Sequence, residues 1–215
     1  MAKQQLEIPA IPSLGTSGTV YSQNVQNQNN GLLRLFFTKL VNSIQSVIGP
    51  RGGKYLNNPY GAFQDGTDQI AANTTTAYPI TFDTTDFANG VTLSNSSRLN
   101  VTDSGIYNIQ FSLQLVNTTN GSQDIDIWFR KNGVDISNSN SRFGLAPRKS
   151  AGDPYHVVGS LNFVDSFTEN DYVELYWRTS NTSAYIESYT ASSSPTRPAI
   201  PSVILTATFV SSTPA

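Results

Sequence analysis

The chain has 215 residues, no cysteine, one histidine and a formal net charge of −2. Charged residues make up 13% of it, against about 25% in an average domain, and Asn, Ser, Thr and Gln supply the polarity instead. These values exclude a disulfide framework, a thiolate metal site and long-range recruitment of nucleic acid or acidic lipid.

Residues 1–30 contain Pro9, Pro12, Gly15, Gly18 and a Gln/Asn-rich run from Gln23 to Asn30. A segment with so few large apolar side chains cannot build a core. We expect an extended arm that orders on a partner through Leu6, Ile8, Ile11 and Leu14. The opening Met-Ala-Lys-Gln-Gln-Leu-Glu-Ile-Pro has no apolar run behind its lysine and does not read as a signal peptide. No stretch approaches the roughly 18 apolar residues of a membrane span.

The spacing predicts a helix over residues 31–48, with Asn30 as N-cap and Gly49-Pro50 as the stop. Leu33, Phe37, Leu40, Ile44 and Val47 form an a/d seam. The seam is too short to hold copies together unaided. It suits bundling of copies that a neighbouring domain already assembles, or packing on the chain's own domain. A membrane-surface helix would carry more basic residues than Arg34 and Lys39. Residues 49–60, rich in Gly and Pro, read as a linker.

From residue 61 to 215 strand signals recur. The clearest is Gly105–Leu115, where Tyr107, Ile109, Phe111, Leu113 and Leu115 alternate with Asn108, Gln110, Ser112 and Gln114. That period of two belongs to a half-buried strand. Ile125, Ile127 and Phe129 repeat it, and Asn132-Gly133 then supplies a hairpin turn. Further candidates are 77–82, 91–93, 98–101, 157–164, 172–178, 184–189 and 203–210. So many short strands without helical intervals predict a mainly β domain, a sandwich or jelly roll. Ile109, Phe111, Ile127 and Leu175 are its expected core.

Two strands carry aromatic residues on both faces. Tyr172 and Tyr176 lie opposite Val173, Leu175 and Trp177, and Trp128 lies opposite Ile125, Ile127 and Phe129. A sandwich has one inward face per sheet, so Trp128, Tyr172 and Tyr176 are candidates for a subunit interface. The plainer alternative is a scatter of surface aromatics.

The segment Ser97-Arg-Leu-Asn-Val-Thr-Asp-Ser-Gly-Ile-Tyr-Asn-Ile-Gln-Phe-Ser resembles the opening of the longest strand in complement globular-head and tumour-necrosis-factor-like jelly rolls. Ile125-Asp-Ile-Trp-Phe-Arg-Lys-Asn-Gly is similar to the same family's strand ending in Lys-Asn-Gly. Asn170-Asp171-Tyr172-Val173 stands where that family has Gly-Asp-x-Val, so this chain lacks the glycine. The resemblance covers residues 60–211. The whole chain resembles structural proteins of tailed bacteriophages, through Arg34-Leu-Phe-Phe-Thr-Lys-Leu, Gly52-Gly-Lys-Tyr-Leu-Asn-Asn-Pro-Tyr-Gly-Ala-Phe and Pro198-Ala-Ile-Pro-Ser-Val-Ile-Leu-Thr. It implies a homotrimeric virion component assembled in the bacterial cytoplasm, a fibre, head decoration or tail accessory that touches other virion proteins. The alternative is a receptor-binding module for a host-surface glycan.

Little in the chain suggests catalysis. His156, at a strand start, has no cysteine or second histidine to complete a nucleophilic pair or an ordinary zinc site. Asp124 and Asp126 share one strand face, a solvated pair or an oxygen site for calcium. Asp65-Gly-Thr-Asp68 is a turn composition. No carboxylate pair stands out for glycan hydrolysis, so we expect no enzyme, no cofactor and no resident metal. Asn-x-Ser/Thr at Asn73, Asn95 and Asn181 reads as surface composition. Two long loops remain as recognition candidates: 140–155 with Arg142, Arg148 and Lys149, and 179–201 with Tyr185 and Tyr189. Capping the barrel end, or touching a neighbouring protein, are their other uses.

Overall fold

The computed structural model describes residues 9–16, 18, 20–48 and 58–212. The chain divides into two units, Met1–Asn57 and Asn58–Ala215. In the first, helix α1 (Gln23–Ile48) begins well before the expected residue 31. The cap is Ser22, whose Oγ accepts the Val25 N–H at 3.5 Å, and Asn30 lies inside the helix. Glutamine is a good helix former, and one asparagine of the polar run finds a partner outside the helix. The Asn29 side-chain amide accepts from the Gly15 N–H (3.0 Å) and donates to the Gly15 carbonyl (2.9 Å). The extended arm therefore ends before residue 23.

Leu6 and Ile8 lie outside the described residues, while Ile11 and Leu14 are exposed. Along α1, Leu33 and Leu40 are half-buried and Phe37 and Ile44 exposed. Leu32, Leu35 and Val41 are exposed too, so apolar side chains stand out beyond a single seam. Val47 lies in the last turn, with its side chain outside the described set. Among the described residues no helix is long and apolar enough to cross a membrane.

The second unit is built from β1 (Tyr60–Asp65), β2 (Tyr78–Pro79), β3 (Thr84–Asn89), β4 (Val91–Ser94), β5 (Arg98–Val101), β6 (Gly105–Asn117), β7 (Gln123–Lys131), β8 (Val134–Asp135), β9 (Ser141–Leu145), β10 (Tyr155–Phe167), β11 (Tyr172–Thr179), β12 (Ala184–Ile186), β13 (Ser192–Ser193), β14 (Thr196–Arg197) and β15 (Val203–Ser211). One sheet runs β10-β6-β15-β1-β3, with β12 also on β6. The other runs β4-β5-β11-β7-β8, with β2 on β11 and β9 on β7. β13 and β14 form a separate ribbon. From β5 onward the long strands alternate sheets: β5, β7 and β11 in the second, β6, β10 and β15 in the first. The unit is a jelly-roll sandwich.

Its core lies between the two sheets, as the alternation requires. Tyr107, Ile109, Phe111, Leu113 and Leu115 from β6 meet Ile125, Ile127 and Phe129 from β7 and Val173, Leu175 and Trp177 from β11, all buried. Phe129 stacks on Phe163 with ring centroids 4.4 Å apart. Burial, reinforced by the Asp103 charge, pushes the Tyr107 hydroxyl up to about 12, so it stays protonated and donates to the Asp103 carbonyl at 2.8 Å.

Local chemistry sets the turns. Asn132 and Gly133 take φ of 51° and 82°, closing the β7–β8 hairpin as expected. Asn170 sits at φ 70°, in the left-handed region that asparagine tolerates. A Cβ on Gly105 would lie 2.2 Å from the Phe209 ring and 2.8 Å from the Ser211 carbonyl oxygen, so the start of β6 needs a bare backbone. In the 65–68 turn, Asp65 Oδ1 accepts from the Thr67 N–H at 2.8 Å.

Several strands go beyond the sequence reading. β1 begins at Tyr60, inside the expected linker; β3 is an exposed edge; β9 lies inside the expected 140–155 loop, and β13 and β14 inside the expected 179–201 loop. The predicted 77–82 strand shrinks to Tyr78–Pro79.

Candidate functional site

The strongest constellation lies on the outer face of the second sheet. Antiparallel register places Tyr176 of β11 opposite Trp128 of β7, Arg178 opposite Asp126, and Glu174 opposite Arg130. β9 adds Arg142 opposite Asp126. The predicted interface aromatics therefore do share one face, and they are half-buried. Much of the cover comes from arginine. The Arg130 guanidinium lies 3.8 Å from the Tyr176 centroid and that of Arg98 4.4 Å from the Tyr172 centroid. The Trp128 and Tyr176 centroids are 6.2 Å apart.

Asp126 is the electrostatic centre. Oδ1 accepts from Arg142 Nε at 2.8 Å, and Oδ2 accepts from Arg178 Nε at 2.8 Å and Arg142 Nη2 at 3.2 Å. Arg178 Nη2 lies 2.7 Å from the same oxygen. The Asp126 side chain is 4% exposed, against 58% for Arg142 and 48% for Arg178. Hydrogen bonds from Arg142, then from Arg178, hold its carboxyl below the usual range, outweighing the opposing effect of burial. Asp126 is thus organised around arginine, while Asp124 beside it is exposed. Among the described residues no cluster of three His, Cys, Asp or Glu side chains gathers for a metal.

A depressed folded-state pKa makes a stabilising contribution that is full above the unfolded carboxylate value and fades as pH falls through the folded one. We expect Asp126→Asn to cost about 1–2 kcal/mol near neutral pH, at the low end for charge-assisted bonds because both guanidiniums are half exposed. The gap from wild type should close below pH ~4, which denaturant titrations across pH would read. A gap constant with pH would assign the loss to packing.

Beside Asp126 the sheet forms a cleft of about 350 Å³ lined by Asp126, Trp128, Asp135, Asn138, Arg142 and Arg178, among others. Trp128 Nε1 and Arg130 Nε both donate to Asp135 Oδ1 at 2.8 Å, fixing the indole plane. Arg130, then Trp128, lowers the Asp135 pKa. The rim loop is pinned by buried Ser139, which accepts from the Phe129 N–H at 3.1 Å and donates to the Ile136 carbonyl at 2.8 Å.

The five recognition candidates separate. Arg142 lies on a strand and joins the cleft. Arg148 instead bonds Asn120 Oδ1 at 2.7 Å, and Lys149 lies 3.6 Å from Asp153. Tyr185 and Tyr189 meet elsewhere, around Glu187. Tyr185 donates to Glu187 Oε1 at 3.4 Å, Tyr189 bonds Glu187 Oε2, and the Tyr189 hydroxyl lies 2.7 Å from His156 Nδ1. Burial first, and Glu187 second, push the Tyr189 hydroxyl upward. Asp135, Asn138 and Arg178 were not anticipated as site residues. The parity of β11 put Arg178 on the Tyr172–Tyr176 face, which was the available signal. No protein-family model matches the chain, and no curated protein matches it.

Proposed function

We propose that the chain is a non-enzymatic structural component of a bacteriophage virion, assembled as a homotrimer in the bacterial cytoplasm and anchored through its N-terminal region. The observation that carries the assembly is a contrast between the two outer faces. On the first sheet the outward side chains are Ile106, Asn108, Gln110, Ser112 and Gln114 from β6, His156, Val158, Ser160, Asn162, Val164 and Ser166 from β10, and Ile204, Thr206 and Thr208 from β15. Among these described residues His156 alone can carry charge, and carboxylates stand at the margins of the face, Glu187 3.4 Å from His156 Nδ1 and Asp86 bonded to Gln64 of β1. Val158, Val164 and Ile204 are exposed, and Tyr60 and Phe87 pair at the β1–β3 end with centroids 6.0 Å apart. The second sheet's outer face holds Arg98, Asp126, Arg130, Glu174 and Arg178. Interfaces exclude charge from their centres, so the first sheet suits burial against other copies and the second suits solvent.

Two details support the jelly-roll resemblance behind the virion reading. Gly105 occupies a backbone contact that no side chain fits. Asn170 replaces the family's glycine at a positive φ that asparagine accepts. The arm, with Ile11 and Leu14 exposed, supplies apolar points for a virion partner, and linkage to a trimer lets each arm bind weakly.

Sedimentation of the full chain at micromolar concentration should give three times the chain mass, and a monomer would sink the assembly reading. Removing residues 1–20, which leaves α1 whole, should keep the trimer and abolish incorporation into particles. Normal copy number after that truncation would move the anchor to the sandwich.

A further inference from the structure

The Trp128 cleft combines three features that no single structural role requires. Its floor is an indole ring that is half-buried and locked in orientation by the bond to Asp135. Its wall holds two arginines that share the Asp126 carboxylate, with the Asp124 carboxylate also within electrostatic reach of Arg142. Each guanidinium commits its Nε and Nη2 to Asp126, so the Nη1 donors of both remain for a further anion. Across the cleft, Asp135 is 56% exposed and uses one oxygen for both of its bonds. The exposed Asn138 and Asn140 add amides at the rim, in a loop pinned through Ser139.

Each feature selects chemistry. A fixed aromatic plane takes the C–H face of a flat ligand and excludes nothing by sequence. Amides and a carboxylate acceptor match hydroxyl groups. Paired guanidinium donors match a planar carboxylate better than a neutral group. The volume is at the small end of the roughly 300–1,000 Å³ of ligand sites, enough for a short saccharide and not for a folded partner. We propose that this cleft binds a sugar residue bearing a carboxylate, with its ring on Trp128, its carboxylate between Arg142 and Arg178, and its hydroxyls on Asp135, Asn138 and Asn140. The proposal does not depend on trimer formation, because the cleft lies on the charged outer face and draws on one chain.

The probes are tetragalacturonate, tetramannuronate and a glucuronate-containing tetrasaccharide, each compared with its methyl ester, titrated into the full-length protein. Calorimetry and tryptophan fluorescence read binding; the only other tryptophan, Trp177, is buried, so quenching reports Trp128. At least one acidic tetramer should bind at sub-millimolar concentration and about tenfold or more tighter than its ester. Trp128→Ala should abolish binding to acid and ester alike. Arg142→Gln and Arg178→Gln should remove the preference for the acid, and the exposed Asn140→Ala should weaken binding without touching the fold. Arg148→Gln, outside the cleft, should change nothing. Failure of all three acids at millimolar concentration, equal binding of acid and ester, or binding that survives Trp128→Ala in a folded protein would each overturn the assignment.

Discussion

Replacing Phe111 by alanine should destabilise the sandwich by about 3–5 kcal/mol, the cost of emptying a large core site. Phe111 is 4% exposed and projects from the centre of β6, flanked in register by Leu161 of β10 and Leu205 of β15. Its ring meets Phe129 of the opposite sheet at 5.9 Å between centroids, and Phe129 stacks in turn on Phe163. The ring therefore joins both sheets, and neighbours held by two ladders cannot collapse into the space it leaves. Typical domains are stable by about 5–15 kcal/mol, so the loss takes a large share of the total and lowers the denaturant midpoint without changing its slope. The adjacent Ser112→Ala, on the outward face, should stay within about 0.5 kcal/mol for the isolated sandwich. A change under about 1 kcal/mol for Phe111→Ala would mean that the buried face of β6 is wrongly assigned.

The contrast between Phe111 and Ser112 was legible in the sequence because a strand's side-chain period is fixed. The same rule made Tyr107, Ile127 and Leu175 core, and the Asn132-Gly133 turn was legible because few residue pairs tolerate its φ values. β1 was harder. Tyr-Gly-Ala-Phe-Gln-Asp has no alternation, since Gly61, Ala62, Phe63 and Asp65 are all buried. β9, Ser-Arg-Phe-Gly-Leu, is too short to announce itself and forms by pairing along Gln123–Ile127. The apolar spacing of α1 begins only at residue 31 because Gln and Asn carry no hydrophobic pattern, while its cap, Ser22, precedes the polar run.

The site divides along the same line. That Asp124 and Asp126 share a face follows from spacing, as does the shared face of Tyr172, Tyr176 and Arg178. That Arg142 and Arg178 converge on Asp126 is a statement of register between β7, β9 and β11, across separations that no local pattern encodes. The meeting of His156 with Tyr189 and Glu187 is of the same kind, since it joins the start of β10 to the loop after β12.

Placing an arginine at Ser112 should dissociate the proposed trimer. Ser112 lies at the middle of the charge-poor face, with Ser160 of β10 on one side and Ile204 of β15 on the other. In a lone sandwich the new side chain points into water and costs little, so thermal melting of the separated chain should hardly move. In the assembly it buries a charge with no carboxylate among the outward residues of β6, β10 and β15 to receive it. An unpaired buried charge costs about 3–5 kcal/mol, and a symmetric trimer carries the penalty in every copy. Sedimentation should therefore shift from three chain masses to one, with the circular dichroism of the β domain retained. Thr92→Arg, exposed on the outer face of the second sheet, adds the same charge and should leave the trimer intact. If Ser112→Arg remains a trimer while Thr92→Arg falls apart, copies meet through the Trp128–Tyr176 face instead. That outcome would also cover the cleft, so it would appear a second time as loss of saccharide binding in the assembled protein.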